Sequence, residues 1–222
     1  GALTNSVNTA TVKLILQTGV DSVIQLARKM GISGEIPQEP SIALGSASMS
    51  VYDLTKAYAT LANLGQKVSP VVVTRIETHD GEMLADFRSK NYHQIVDTSI
   101  ASIMTHMLES VATSGTASRL RWRYGLYGFP IAGKTGTSQN HADGWFIGYN
   151  PKLVTGVWVG GDSPLVRFRN FKDGQGAATA LPIWALYMKD VLSKKEFEEW
   201  QNGAFPELTA EQKQMLACPM RI

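Results

Sequence analysis

The sequence predicts an α+β fold, in which helices flank an antiparallel sheet and a helical subdomain lies beside it. Apolar residues recur at helical spacing through most of residues 1–128. From about residue 129, runs rich in β-branched and aromatic residues alternate with tight turns. An apolar stretch at 178–192 then returns to the helical period. Helices and strands are therefore segregated along the chain, which is typical of α+β proteins.

The first part of the chain, 1–128, is predicted to be mainly helical with one extended insertion. Apolar spacing and stop signals such as Gly31 predict helices at 10–18, 22–30, 50–65 and 98–113. The insertion at 70–87 is rich in β-branched residues and has a turn at 79–81, which predicts a β-hairpin. The hairpin is either a docking surface for a partner or a surface excursion packed on its own helix, and the second interpretation is favoured.

The second part, 129–192, is predicted to contain the sheet and the helix that covers it. Three strands are expected, at 130–137, 144–149 and 153–160. The link at 150–152 is short, so the second and third strands are expected to be antiparallel neighbours. Residues 1–192 are expected to form one partial domain, and 193–222 a tail to which we assign no function.

Composition excludes several functions. With 44% hydrophobic residues in 222, the chain can bury a sizeable core. The net charge of only +2 gives no basic field for a nucleic-acid partner and no polybasic membrane patch. The one cysteine, Cys218, rules out an internal disulfide and a cysteine-based metal site. No His, Asp or Glu cluster has metal-ligand spacing, so neither a metal nor a cofactor is predicted.

Two short motifs carry chemistry. Ser6-Val7-Asn8 lies just before the first predicted helix, and a Lys-Thr-Gly-Thr sequence at 134–137 lies on the first predicted strand of the sheet. Each is weak alone. A Ser-x-Asn triplet is common as a helix N-cap, and a glycine in a strand often marks only a bulge.

The surroundings make the pair specific. The strand motif is followed by an Asp-Gly-Trp-Phe-Ile-Gly-Tyr sequence at 143–149, and the helical part contains Ala-Leu-Gly at 43–45 and Ala-Tyr-Ala-Thr-Leu-Ala-Asn-Leu-Gly at 57–65. In this order, the chain closely resembles the transpeptidase domain of class A penicillin-binding proteins, over about 2–192. The resemblance implies D-Ala-D-Ala transpeptidation of peptidoglycan stem peptides by serine acyl transfer, with covalent inhibition by β-lactams.

The resemblance also implies catalytic roles for three side chains. Ser6 belongs to a hydroxyl relay near the leaving amine. Asn8 offers an amide to the substrate backbone and orients the lysine of the nucleophile motif. Lys134 adds positive charge beside the relay, which favours a deprotonated hydroxyl and attracts the terminal carboxylate of the peptide.

Substrate binding is implied for the next three residues. Thr135 and Thr137 are two apart on a strand and share one face, so both hydroxyls can bond one substrate carboxylate. Gly136 lets the substrate backbone approach. The backbone N–H of Thr137 forms one arm of an oxyanion hole, whose other arm is the N–H of the nucleophilic serine.

The chain departs from the family at one motif. Enzymes of this group carry Ser-x-x-Lys, which supplies the nucleophile, yet no serine here is followed by lysine at the third position. The motif is expected to precede Gly1, with two strands of the family's five-stranded sheet. The chain is thus expected to be N-terminally truncated and inactive alone. If stable in isolation, it is expected to form a homo-oligomer or to bind another chain.

The resemblance implies that this chain is part of a longer protein, here called the parent protein. The parent protein is expected to carry a membrane anchor and a glycosyltransferase domain, and to act in the cell envelope on the periplasmic side of the inner membrane. Two alternatives remain open: a non-catalytic module that binds peptidoglycan or an envelope partner, and a D,D-carboxypeptidase or β-lactamase on the same fold. The sequence upstream of this chain distinguishes the first alternative from transpeptidation, because only the enzyme needs a Ser-x-x-Lys motif there.

The residues after the strand motif are expected to be structural. His141 is interpreted as part of a solvated loop, in preference to a rim contact or a catalytic base. Asp143 is expected to hydrogen-bond at a turn or strand end, and Trp145 and Phe146 to lie in the core. The Gly-Thr-Ala sequence at 115–117 resembles a family stretch beside the cleft, although loop flexibility also explains its glycine.

Overall fold

A computed structural model describes residues 1–88, 93–163 and 165–217. Cys218 lies outside these residues. The described α-helices are α1 (Asn8–Thr18), α2 (Val20–Lys29), α3 (Val51–Ala62), α4 (Thr98–Thr113), α5 (Arg119–Trp122), α6 (Phe171–Gly174), α7 (Ala180–Ser193), α8 (Glu198–Gln201) and α9 (Ala210–Leu216). The described strands are β1 (Arg75–Glu77), β2 (Met83–Asp86), β3 (Ala132–Thr137), β4 (Asp143–Tyr149) and β5 (Val154–Gly160). Short 3₁₀ helices occur at Pro40–Leu44, Gln139–His141 and Lys195–Phe197.

Local signals set the helix boundaries. The Ser50 hydroxyl accepts the Asp53 N–H at the start of α3, and the Asp97 carboxylate accepts two N–H groups at the start of α4. Helix α2 ends at Lys29, and Gly31 follows with φ +100°, a conformation that favours glycine. The four helices predicted in the first part are therefore confirmed, with shifts of a few residues at their ends.

The hairpin predicted at 70–87 is present as the antiparallel pair β1–β2, which is shorter than expected. Ile76, Met83 and Leu84 remain exposed rather than packed on a helix. The hairpin is a surface excursion, as expected, but the expected packing of these side chains is absent.

The sheet has the order β3-β4-β5 with both pairs antiparallel, as predicted for the second and third strands. β3 is an edge strand, which leaves its outer side open to a ligand. The α+β class is confirmed, with helices on both faces of the sheet.

The core lies between the sheet and α7. Trp184 of α7 is fully buried and meets Phe146 of β4 edge-on, with ring centroids 5.1 Å apart. Its indole N–H donates to the Thr155 carbonyl at 3.1 Å. On the opposite face, α3 approaches Gly156, where a β-carbon would clash with Thr55. The helix predicted at 178–192 therefore covers the sheet as expected.

The segment after α7 folds back onto the body. The Asn150 amide donates to the Trp200 carbonyl at 2.7 Å, and the Phe205 ring meets Tyr149 at 5.6 Å. The boundary near residue 192 stays a prediction. Among the residues with described structure, no helix combines the length and apolar character needed to cross a membrane.

Candidate active site

Neither Ser6 nor Asn8 caps helix α1, which begins at Asn8. The N-cap of α1 is Val7, and no side-chain hydrogen bond caps the helix, so the capping explanation is wrong. Ser6 has φ +53°, a left-handed conformation that is uncommon outside glycine. This backbone directs the Ser6 hydroxyl to Lys134 on β3, as described below.

Three contacts hold the segment that carries Ser6. The Thr4 and Ser110 hydroxyls are 2.7 Å apart, and the Thr116 N–H donates to the Thr4 carbonyl at 3.2 Å. At Gly115, a β-carbon would lie 2.8 Å from Thr4 Cγ2 and closer still to the Thr4 carbonyl oxygen. Gly115 is thus required for close packing, and flexibility is not needed to explain it. These contacts fix the segment against the end of α4.

Lys134 joins the two motifs. Its Nζ donates to the Ser6 hydroxyl and to the Thr135 carbonyl, the latter at 2.9 Å. The side chain is half-buried, and desolvation of the ammonium group lowers the pKa of Lys134 below its ordinary value. Lys134 can therefore exchange a proton with its hydroxyl neighbour more readily than an exposed lysine can.

Thr135 and Thr137 lie on one face of β3, as predicted. Residues opposite each other in an antiparallel pair share a face, and the two threonines pair with Phe146 and Gly144. The Thr137 hydroxyl accepts the Gly176 N–H at 3.0 Å, which leaves its own proton free to donate. The Thr135 hydroxyl lies 2.8 Å from that of Thr116.

The open edge of β3 presents backbone groups as well. The Ser138 N–H donates to the Asp143 carbonyl at 3.0 Å. Hydrogen-bonded and non-hydrogen-bonded pairs alternate in antiparallel sheets, so the Thr137 N–H points away from β4 toward this edge. The Thr135 carbonyl, which accepts from Lys134, points the same way. A ligand along this edge meets a donor at Thr137.

Gly136 and Asn8 have less defined surroundings. A β-carbon at Gly136 would lie 3.1 Å from Trp145 Cβ, so packing against β4 already favours glycine there. Asn8 is exposed at the start of α1, and in the described residues its side chain has no hydrogen-bond partner. The structure thus brings Ser6, Lys134 and Thr135 together and leaves the Asn8 amide open to solvent.

His141 lies in a loop whose Gln139 and Asn140 are exposed, as expected, but the His141 side chain itself is not solvated. Its ring is half-buried and meets Phe171 at 5.4 Å, because the Phe168 N–H donates to the His141 carbonyl and folds the loop inward. In the described residues, the buried Nδ1 has no hydrogen-bond partner.

Two of the residues expected to be structural are confirmed in that role. The Asp143 carboxylate accepts the Trp158 indole N–H at 2.9 Å, and Phe146 is fully buried. Trp145 is only half-buried and contacts Trp158.

The sequence did not reveal the residues that position the site. Thr116 lies in the Gly-Thr-Ala sequence already noted, but its bond to Thr135 depends on tertiary structure. Thr4 and Ser110 are ordinary polar residues with no motif. Within the described residues, no group of His, Cys, Asp or Glu side chains could hold a metal ion.

Comparison with known proteins identifies the family. The family model described as penicillin binding protein transpeptidase domain matches residues 1–162. The chain therefore belongs to the penicillin-binding protein transpeptidase family.

The resemblance to class A members is confirmed by individual relatives. Penicillin-binding protein 1A of Aquifex aeolicus (strain VF5) is 34% identical over 90% of this chain and 26% of its own length. The protein of the same name from Neisseria meningitidis serogroup A is 35% identical over 88% of this chain and 24% of its own length. The chain spans about a quarter of these relatives.

Solved structures agree on the fold. PonA1, a penicillin-binding protein from Mycobacterium tuberculosis, superposes with a TM-score of 0.79 at 27% identity, covering 94% of this chain and 58% of that one. Penicillin-binding protein 1A from Haemophilus influenzae gives 0.77 at 23% identity over 87% of this chain and 34% of that one. A PonA1 structure in complex with penicillin V gives 0.77 at 28% identity, with coverage of 94% and 58%.

Proposed function

We propose that this chain supplies the Ser-x-Asn and Lys-Thr-Gly-Thr parts of a D,D-transpeptidase site that cross-links peptidoglycan stem peptides by serine acyl transfer. The contact between Lys134 and Ser6 carries the proposal, because it joins two motifs 128 residues apart. The penicillin V complex of PonA1, a relative in fold and sequence, supports β-lactams as inhibitors.

The nucleophile comes from residues outside these 222. Acyl transfer by a serine enzyme needs a hydroxyl activated by an adjacent base. No serine in the sequence is followed by lysine at the third position. The chain alone is therefore inactive, and a Ser-x-x-Lys segment of the same protein completes the cleft beside the open edge of β3.

Ser6 and Lys134 form the proton relay of this site. Desolvation already favours the neutral amine of Lys134, so its ammonium can release a proton through the Ser6 hydroxyl to the leaving amine. Asn8 lies two residues beyond Ser6 with its amide open, and it binds the substrate backbone and orients the lysine of the nucleophile motif.

Thr135, Gly136 and Thr137 bind the substrate. Both threonine hydroxyls lie on one face, and the free proton of Thr137 is available to the terminal carboxylate. The Thr137 N–H, directed to the open edge, stabilises the oxyanion together with the N–H of the nucleophilic serine. Gly136 leaves room for the substrate backbone beside the strand.

The whole protein works in the cell envelope on the periplasmic side of the inner membrane, held by an anchor outside this chain. Its relatives of the same family, which are penicillin-binding proteins 1A several times longer than this chain, support that placement. Its partners are the stem peptides of peptidoglycan and, as covalent inhibitors, β-lactams.

The test compares the chain with the intact protein that carries it. Each is incubated with fluorescent penicillin and analysed by intact mass, and the intact protein is also given stem peptides. We expect a stoichiometric adduct and cross-linked dimers from the intact protein, and no adduct from the chain. A serine adduct on the chain alone would contradict the external nucleophile.

Other products select the other functions. Peptide hydrolysis without dimers indicates a carboxypeptidase, and turnover of penicillin indicates a β-lactamase. An intact protein that forms no adduct indicates a non-catalytic binding module.

A further inference from the structure

A cavity of about 310 Å³ lies between α5 and the segment that leads from α6 into α7, and none of the candidate active-site residues lines it. Its lining includes three cationic side chains, Arg119, Arg123 and Lys172. It also includes the carboxylate of Asp173 and the aromatic ring of Trp122. This volume is at the lower end for small-molecule sites, so it suits one amino-acid residue or a small organic acid.

The charge of the cavity is unbalanced. Three cationic side chains face one carboxylate, and that carboxylate already accepts the Asn170 amide at 2.8 Å. In the described part of the chain, neither arginine nor Lys172 forms an ion pair with a carboxylate. An excess of unpaired cations in a concave site favours an anionic ligand.

One of the cations is held in place. Arg119 is half-buried, and its Nη1 donates to the Ala177 carbonyl at 2.9 Å. A guanidinium group has five N–H donors, so others remain available after this bond. A fixed guanidinium suits a carboxylate, whose two oxygens match its parallel N–H donors.

Both walls of the cavity also hold the substrate-binding strand. Arg119, on one wall, lies three residues after Thr116, whose hydroxyl is bonded to that of Thr135. Gln175, on the other wall, precedes Gly176, whose N–H is bonded to the Thr137 hydroxyl. The two segments that line the cavity therefore also carry the residues bonded to the two threonines of β3.

We propose that this cavity is an anion-binding subsite that takes a side-chain carboxylate of a stem peptide. The proposal rests on the transpeptidase function proposed above. The cations bind the carboxylate, and Trp122 contacts the aliphatic carbons that carry it. Loss of that negative charge, for example by amidation of the peptide, weakens its binding.

The first experiment measures binding directly, without catalysis. The intact protein is titrated by calorimetry with glutarate, with glutaramide as the uncharged match and inorganic phosphate as a different oxyanion. We expect saturable glutarate binding that falls about 5- to 10-fold in Arg123→Gln and in Lys172→Gln, since both side chains are exposed and screened. Lys189→Gln, an equal charge change on the exposed side of α7, is the control and is expected to bind within about twofold of the unsubstituted protein.

A second experiment measures how strongly an acceptor stem peptide binds during transpeptidation. The KM for an acceptor with a free side-chain carboxylate is expected to rise about fivefold in Arg123→Gln, and this rise is expected to be absent with the amidated acceptor. A rise of equal size with both acceptors would overturn the carboxylate role. Equal binding of phosphate and glutarate would overturn the preference for a carboxylate.

The outcomes separate this proposal from the proposed function. Transpeptidation without saturable glutarate binding, or glutarate binding unchanged in both variants, would overturn the anion subsite alone. Glutarate binding that depends on Arg123 and Lys172 in a protein without transpeptidation would overturn the proposed function and the peptide ligand, while the anion site would stand.

Discussion

Lys134 combines three properties at one position: partial burial, a hydroxyl partner on a distant segment and a backbone carbonyl partner on its own strand. Desolvation lowers its pKa, and its Nζ donates to the Ser6 hydroxyl and to the Thr135 carbonyl. A lysine in this setting is held in a defined direction and still exchanges its proton.

The first prediction compares Lys134 with Lys152, which is exposed in the turn between β4 and β5. In the intact protein, Lys134→Ala is expected to slow penicillin acylation by about 100-fold, the size of a general acid–base contribution. Lys152→Ala makes the same charge change and is expected to stay within about twofold. Second-order acylation rates measure both, and equal rates would mean that Lys134 does not take part.

The second prediction concerns the two threonines of β3. Each hydroxyl donated to a charged carboxylate contributes about 1.5–3 kcal/mol, so Thr135→Val and Thr137→Val are each expected to slow acylation roughly tenfold or more. Because they serve one group, the double variant is expected to be non-additive. The losses are expected to shrink with a substrate whose terminal carboxylate is amidated.

Valine also tests the structural explanation for these threonines. If they only favour the strand, valine is harmless or stabilising there. Thr155→Val, the same substitution on β5 of the sheet, is the matched control and is expected to leave acylation within about twofold. Undiminished losses on the amidated substrate would contradict the carboxylate role.

At the scale of elements, α3 is tied to the loop before it by one buried carboxylate. Asp53 is 5% exposed and accepts the Ser33 hydroxyl at 2.6 Å and the Ser33 N–H at 3.1 Å. Lys56 forms an ion pair with it at 3.0 Å. The Ser33 hydroxyl is the main cause, and Lys56 the second, of a pKa of Asp53 lowered to about 2.

The third prediction follows from that pKa. A carboxyl group with a depressed pKa stabilises the fold fully above its unfolded value of 3.8, and this contribution is lost as pH falls toward about 2. Asp53→Asn is therefore expected to lower the free energy of unfolding by on the order of 1–2 kcal/mol at pH 7, and by less below pH 4.

Chemical denaturation of the intact protein across this pH range gives the measurement. Asp80→Asn, the same substitution in the exposed hairpin turn, is the matched control and is expected to change the free energy of unfolding by less than about 0.5 kcal/mol. A stability difference between Asp53→Asn and the unsubstituted protein that stays constant from pH 7 to pH 2 would contradict the assignment.

At the scale of the whole molecule, what the sequence could predict divides by the range of the interactions. Helix α4 and the three strands of the sheet were predicted within a few residues, because apolar period and turn residues are local signals. The site motifs were found because the family resemblance carries them. No local pattern encodes the bond from Thr4 to Ser110 or the inward position of the His141 ring. Both depend on tertiary contacts between segments that are distant in sequence.

The free edge of the sheet belongs to the same scale. In the described residues, β5 pairs with β4 on one side and with no strand on the other. The Asn150 N–H donates to the Leu153 carbonyl at 3.0 Å, so by alternation Thr155 and Val157 bond to β4, while the N–H groups of Gly156 and Trp158 point outward. An unpaired edge of this length is a liability unless another strand covers it.

The last prediction is that strands outside this chain pair with the outer edge of β5 in the intact protein. Amide hydrogen exchange is measured on the chain alone and on the intact protein. The Gly156 and Trp158 amides are expected to exchange fast in the chain alone and at least about tenfold more slowly in the intact protein, because a new strand would accept them. Thr155 and Val157 are expected to be protected in both, which reports that the sheet is folded. The Thr137 amide, on the opposite edge, is expected to stay fast in both, because the proposed function leaves that edge open for the substrate. Equal exchange of Gly156 and Trp158 in the two proteins would show that β5 is a true edge of this sheet.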